Sequence, residues 1–163
     1  MAETEIIMGN VMDYLEWRGD LTFDQSPFND VDNVILSQLA YVNFRDVIPS
    51  VQMNKGITLK AAAQLFFDLH TEEELMQDKS FIKDAPKLLK KAAQTNRFRD
   101  IILSDYVDMV DETLEKQFGA FHIKLSPQCT YVAFRGTDDT LVGWKEDFNM
   151  SFISPVPSQE DAV

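Results

Sequence analysis

Apolar positions along this chain follow two regimes. Up to about residue 100 they recur at helical spacing, and after Phe98 they alternate or run together. In the first regime, Asn29 or Asp30 caps an expected helix that carries Val31, Val34, Ile35, Leu39 and Val42 on one broad face and ends before Pro49. Asn54 to Gly56 reads as a turn. Thr58 then caps a second helix with Leu59, Ala62, Ala63, Phe66 and Leu69 at matching intervals. Thr71 and Glu74 form a capping-box pattern, in which each side chain satisfies the other's orphan backbone donor. A further helix is expected from about Asp84, with Pro86 tolerated in its first turn. It sends Leu88, Leu89, Ala92 and Ala93 inward and Lys87, Lys90 and Lys91 to solvent, as an anion patch or simply a solvated face.

In the second regime, Asp105 to Asp111 is rich in strand formers. Between Phe118 and Leu125, Phe121, Ile123 and Leu125 face one way, and Ala120, His122 and Lys124 the other. Ser126 to Gln128 marks a turn. Cys129 to Phe134 is nearly all apolar, the pattern of an interior strand covered on both faces, for which a parallel neighbour is expected. The chain thus reads as α/β: a helical N-terminal segment over 1–103, then, in the same single domain, strands and a loop over 104–163. About thirty residues follow the last apolar strand. That is little for the crossovers of a parallel sheet, so the fold reads as incomplete.

Charge narrows the function. The formal net charge is -12. Nucleic-acid binding rests on basic residues neutralising phosphates, and an anionic membrane surface repels an acidic chain, so both partners are excluded as expectations. No apolar run reaches the ~20 residues that span a bilayer, and the first residues lack the basic and apolar regions of a signal peptide. A cytoplasmic location is expected. Cys129 is the single cysteine, which rules out an internal disulfide, and at the head of an apolar strand it reads as a buried, inert thiol. His70 fits a helix C-terminus, where a cation is favourable, and His122 fits a strand surface.

The stretch from Val132 to Phe152, VAFRGTDDTLVGWKEDFNMSF, resembles the strand-loop motif of class 3 lipases: an apolar strand, Arg-Gly-Thr or Arg-Gly-Ser, then a Trp and an Asp. With DYLEWRGDLTFDQSPFNDVDNVILSQLAYVNF, QFGAFHIKL and VPSQEDAV, it resembles the N-terminal half of a bacterial lipase-like α/β-hydrolase family. The resemblance implies an ester or lipid substrate, no cofactor, and an oxyanion-hole role for Thr137 after Gly136. Preorganised donors at a strand end stabilise developing negative charge without reorganisation, and open α/β sheets bind ligands at the carboxyl ends of their strands. Gly136 is expected to let the backbone turn there without a Cβ penalty. Arg135 either points at a substrate anion or pairs with an acid such as Asp147. Trp144 either covers the site as part of a lid or plugs the core. Asp138 and Asp139 read as a solvated turn, with metal binding the weaker alternative, and the resemblance implies a lid-like loop in which Gly136, Asp138 and Trp144 contact substrate.

A hydrolase of this type also needs a serine in a G-x-S-x-G turn, followed in the sequence by an acid and a histidine. None of the six glycines has a serine two residues on. The expected function is therefore that of an N-terminal portion of a lipase- or esterase-like serine hydrolase, inactive by itself and prone to self-association. The alternative is a short non-enzymatic interaction module built on a hydrolase-like half-fold.

Overall fold

The computed structural model describes residues 10–50, 55–77, 84–136 and 141–162. Mixed helices and a four-stranded antiparallel open sheet make up the fold. The helical half begins with α1 (Val11–Arg18), in which Asn10 and Asp13 form a capping box. In α2 (Asp30–Leu39), Asn29 and Asp32 do the same. The expected extension of α2 towards Pro49 is overturned. The helix closes at Leu39, and 3₁₀-type bonds from Tyr41 to Gln38 and from Val42 to Leu39 turn the chain inward. Ile35, Leu39 and Val42 are buried as expected, whereas Val31 and Val34 are exposed.

Thr58 ends the short β1 (Ile57–Thr58) and caps α3 (Leu59–Leu69) through a bond from the Ala61 N–H. Thr71 and Glu74 exchange both capping-box bonds at the start of α4 (Glu72–Gln77). Asp84 is the N-cap residue of α5 (Ala85–Ala92), and Pro86 sits in the first turn. The antiparallel ladder runs from β1 to β2 (Ile102–Asp111), β3 (Lys116–Ser126) and β4 (Cys129–Arg135). Two short helices follow, α6 (Leu141–Asn149) and α7 (Pro157–Asp161).

The core lies between the helices and one face of the sheet, where Leu103, Phe121, Ile123 and Ala133 meet Ile35, Leu36, Phe44, Leu59, Phe66 and Leu89. Burying such side chains contributes roughly 1.5–3 kcal/mol each relative to exposure. Phe44 forms edge-on ring contacts with Phe66, Tyr106 and Phe121, which joins α3 to β2 and β3. Tyr131 ties β4 to α2 by donating its hydroxyl to Asn33 Oδ1 at 2.7 Å.

Beneath this core sits a buried ion pair. Arg97 and Asp32 are fully buried and meet through two bonds, Nε to Oδ1 at 2.7 Å and Nη2 to Oδ2 at 2.5 Å. Nη1 donates to the Leu21 and Ser26 carbonyls and Nη2 to that of Pro27. Asp32 also accepts the Tyr14 hydroxyl and the Asn29 N–H. One carboxylate therefore caps α2 and anchors the loop that enters it.

The reading of Cys129–Phe134 as a strand covered on both faces is overturned. β4 pairs on one side with antiparallel β3 and, among the described residues, otherwise forms the sheet edge. Thr130, Val132 and Phe134 are exposed on its outer face, with the Phe134 ring 6.2 Å from that of Phe118. Cys129 is likewise exposed, because it is the first residue of β4, next to the hairpin turn.

Candidate functional site

The expected site lies where β4 ends. Register places Arg135 opposite Gly119 on β3, and Gly119 opposite Asp108 on β2. The Arg135 side chain crosses β3 above Gly119, and its Nη2 donates to Asp108 Oδ1 at 2.5 Å. Adjacent strands are ~4.8 Å apart, so a long side chain can span two of them only if the residue between is small. A Cβ at Gly119 would lie 3.2 Å from both Cβ and Nε of Arg135, tighter than ordinary contact. The glycine is thus needed for close approach, not for backbone freedom.

Asp108 takes a second guanidinium. Arg45 Nη2 meets its Oδ2 at 3.0 Å. The Asp108 side chain is 8% exposed, against 13% for Arg135 and 63% for Arg45. Arg135 is therefore the deeply held partner, and Arg45 presents charge at the surface. The pairing expectation for Arg135 named Asp147, but the guanidinium meets an acid two strands away. This fixes the end of β4 at Arg135.

Gly136 follows. Its φ is not positive, so the expected conformational reason for a glycine is replaced by a steric one. A Cβ there would come within 2.8 Å of the Tyr41 hydroxyl. Thr137, the expected oxyanion residue, and the expected turn residues Asp138 and Asp139 lie outside the described residues.

Asp108 also borders a cleft of about 470 Å³ lined by Arg45 to Ser50 and by Tyr106. Asp46 in that wall is left-handed, with φ 64°. Burial, and then the charge of Asp108, pushes the Tyr106 phenol up to about 12, so it stays protonated and can only donate or accept a neutral hydrogen bond at neutral pH. No described residue of this cleft is an activated nucleophile. Cys129 stands at the opposite end of β4. Among the described residues no group of three or more His, Cys, Asp or Glu could hold a metal ion.

Trp144 lies on α6 and is 66% exposed, which removes the core-plug alternative. The helix is amphipathic in the inverse sense. Glu146 is buried, with Oε2 accepting the Gln117 N–H at 2.8 Å and Oε1 the Ser158 N–H at 3.0 Å. Trp144 and Phe148, four residues apart and so on one face, point outward, and Phe148 contacts the exposed Phe152. Asp147, on the same helix, is exposed.

Both histidines sit where expected. His70 is the C-cap residue of α3, its ring 4.6 Å from that of Phe66. His122 is half-exposed on the outer sheet face and pairs through Nδ1 with Asp105 at 2.9 Å. Sequence reasoning missed Arg45, Asp108, Tyr106 and Gly119. The available signal was small: within Asp105 to Asp111, strand alternation puts Tyr106 and Asp108 on one face.

Over β2 to α7 the chain resembles a known family. A family model described as Mbeg1-like matches residues 92–163. The match takes in β2, β3, the Arg135–Gly136 strand end and α6, and it begins after most of the helical half. No curated protein and no solved structure matches the chain. No described helix is long and apolar enough to cross a membrane.

Proposed function

We propose that this chain carries the oxyanion side of a lipase-like ester hydrolase, with the serine nucleophile, acid and histidine supplied by sequence beyond these residues. The observation that supports this most is the strand end at Arg135–Gly136. Asp108 immobilises it through a side chain laid across Gly119, and Tyr41 closes over Gly136. A rigid strand end is what preorganised stabilisation of an oxyanion requires, since the donors must not move as charge develops. Thr137 supplies the hydroxyl and backbone N–H in this reading. Trp144 and Phe148 on α6 form the inner surface of a lid over an apolar acyl chain, which gives their exposure a purpose. The substrate class is an acyl ester, and the reaction passes through an acyl-serine.

The test uses the chain together with the open reading frame that follows it. A G-x-S-x-G serine should be labelled by a fluorophosphonate. Thr137→Ala should lower kcat for p-nitrophenyl esters by roughly 10²-fold with little change in KM, and Thr137→Ser should retain most activity. No G-x-S-x-G, or full activity in Thr137→Ala with the serine labelled, would refute the proposal.

A second reading has its own support. β4 is an edge strand without the lysines or prolines that natural edges use against pairing, and it exposes Val132 and Phe134. A non-enzymatic module would dock a partner strand there. It predicts binding that is indifferent to Thr137.

A further inference from the structure

Between α3 and α5 lies an open cleft of about 570 Å³, on the helical side of the molecule and away from the strand end described above. Its volume is within the ~300–1,000 Å³ range of small-ligand sites. Ala63 and Ala93 are nearly buried and form a shallow floor, and the half-buried Phe67 adds an aromatic face. Lys60, Lys90 and Arg99 stand around this floor, with Asp68 the single carboxylate in the lining. In a chain of net charge -12, three cations around one apolar floor are a local inversion of the protein's charge.

The three lysines of α5 divide their roles. Lys87 pairs with Asp84 at 2.9 Å and Lys91 with Glu16 at 3.1 Å. Lys90 instead leans into the cleft, its Nζ 5.8 Å from the centre of the Phe67 ring. Neither Lys60 nor Lys90 makes an ion pair among the described residues. Acids outnumber bases 27 to 15 in this chain, yet among the described residues both ammonium groups that line the cleft lack a carboxylate partner. Arg99 pairs through Nε with Asp100, whose side chain is 73% exposed, so this pair is screened and exchangeable.

We infer that the α3–α5 cleft binds a small organic anion. A carboxylate or phosphate head lies between Lys60, Lys90 and Arg99, and a short apolar body lies on Ala63, Phe67 and Ala93. The head gains two or three charge-assisted hydrogen bonds, and the body removes apolar floor from water. This site is independent of the ester-hydrolase reading, because none of its residues adjoins the end of β4.

The experiment titrates the full chain with octanoate and with octyl phosphate, followed by amide NMR shifts and calorimetry. Octanol and inorganic phosphate serve as the uncharged and tail-less controls. Shifts centred on Ala63, Phe67 and Ala93 are expected from both amphiphiles, with the tighter one naming the preferred head. Lys60→Glu with Lys90→Glu should weaken binding at least ~10-fold, whereas Lys87→Glu, on the same helix but outside the cleft, should leave it unchanged. Both lysines are exposed, so circular dichroism of the double variant should match the parent. The inference is overturned if neither amphiphile shifts these amides at millimolar concentration. It is also overturned if octanol binds as well as octanoate, if Lys87→Glu has the same effect, or if the shifts fall on Trp144 and Phe148. Displacement of octanoate by a polyglutamate peptide that binds more tightly would assign the groove to an acidic protein partner instead.

Discussion

Removing Arg97 is the most informative perturbation of this fold. Its guanidinium makes a two-point contact with Asp32 and reaches the carbonyls of Leu21, Ser26 and Pro27, and both charged side chains are fully buried. In Arg97→Met the volume is roughly kept, but Asp32 is stranded. The Tyr14 hydroxyl and the Asn29 N–H remain to solvate it, which moderates the penalty. These carbonyls, and that of Thr22, lose a donor at the same time. Breaking a buried pair from one side costs about 3–5 kcal/mol. For a chain of this length about 1 kcal/mol moves Tm by ~2–4 °C, so the melting temperature should fall by about 6–20 °C. Urea unfolding of Arg97→Met, Asp32→Leu and the double variant measures it. The double variant should be more stable than the sum of the singles by on the order of 2 kcal/mol, because it leaves no unpaired charge. Single variants costing under ~1 kcal/mol, or effects that add within ~0.5 kcal/mol, would refute the reasoning.

At the strand end, Asp108→Ala should destabilise by about 3 kcal/mol, because it strands the 13% exposed Arg135. Arg45→Ala should stay within ~0.5 kcal/mol, because that partner is 63% exposed; equal losses in the two variants by chemical denaturation would contradict this assignment. The Ser104 hydroxyl, and then His122, hold the Asp105 carboxyl below its ordinary range. Its contribution is therefore present above the unfolded carboxyl value, near pH 4, and is lost as pH falls through the lower folded value. Asp105→Asn tolerates the left-handed φ of 57° and should flatten the acid limb of stability below about pH 4, and an unchanged limb in pH-stepped melts would exclude that coupling. On the edge strand, Val132→Lys should suppress self-association in sedimentation velocity without lowering Tm, and an unaffected association state would place the contact elsewhere.

Features that depend on a few neighbouring residues were legible in the sequence. The caps at Asn29, Thr58 and Thr71 are satisfied as their patterns require, because a cap closes within three residues. The alternation in β3 likewise places Phe121 and Ile123 inside, with His122 and Lys124 outside. α1 has the same local signal, Asn10 with Asp13 three residues on, but Leu15 is its one buried residue, so little apolar periodicity marks it. Errors arose where a residue's polarity reports on something that is not its chain neighbour. Val132 and Phe134 are as apolar as interior strand residues, yet among the described residues only β3 lies beside them. Trp144 and Phe148 obscure α6, whose buried contact is a carboxylate accepting two backbone N–H groups.

The strand end carries this furthest. Arg135 and Asp108 are 27 residues apart, and neither pattern nor spacing links them. What links them is register: with β3 between β2 and β4 and Gly119 on the crossing line, the guanidinium passes over the glycine to the Asp108 carboxylate. The same crossing explains why a glycine sits in the middle of a long strand, where it costs roughly 0.5–1 kcal/mol relative to alanine in backbone entropy. A strand retains that cost where another group must pass close over it. Here the group is the arginine at the end of β4, so Gly119, Asp108 and Arg135 act as one unit. A bulky residue at Gly119 should therefore reproduce the loss from Asp108→Ala, by displacing the guanidinium and not by removing its partner.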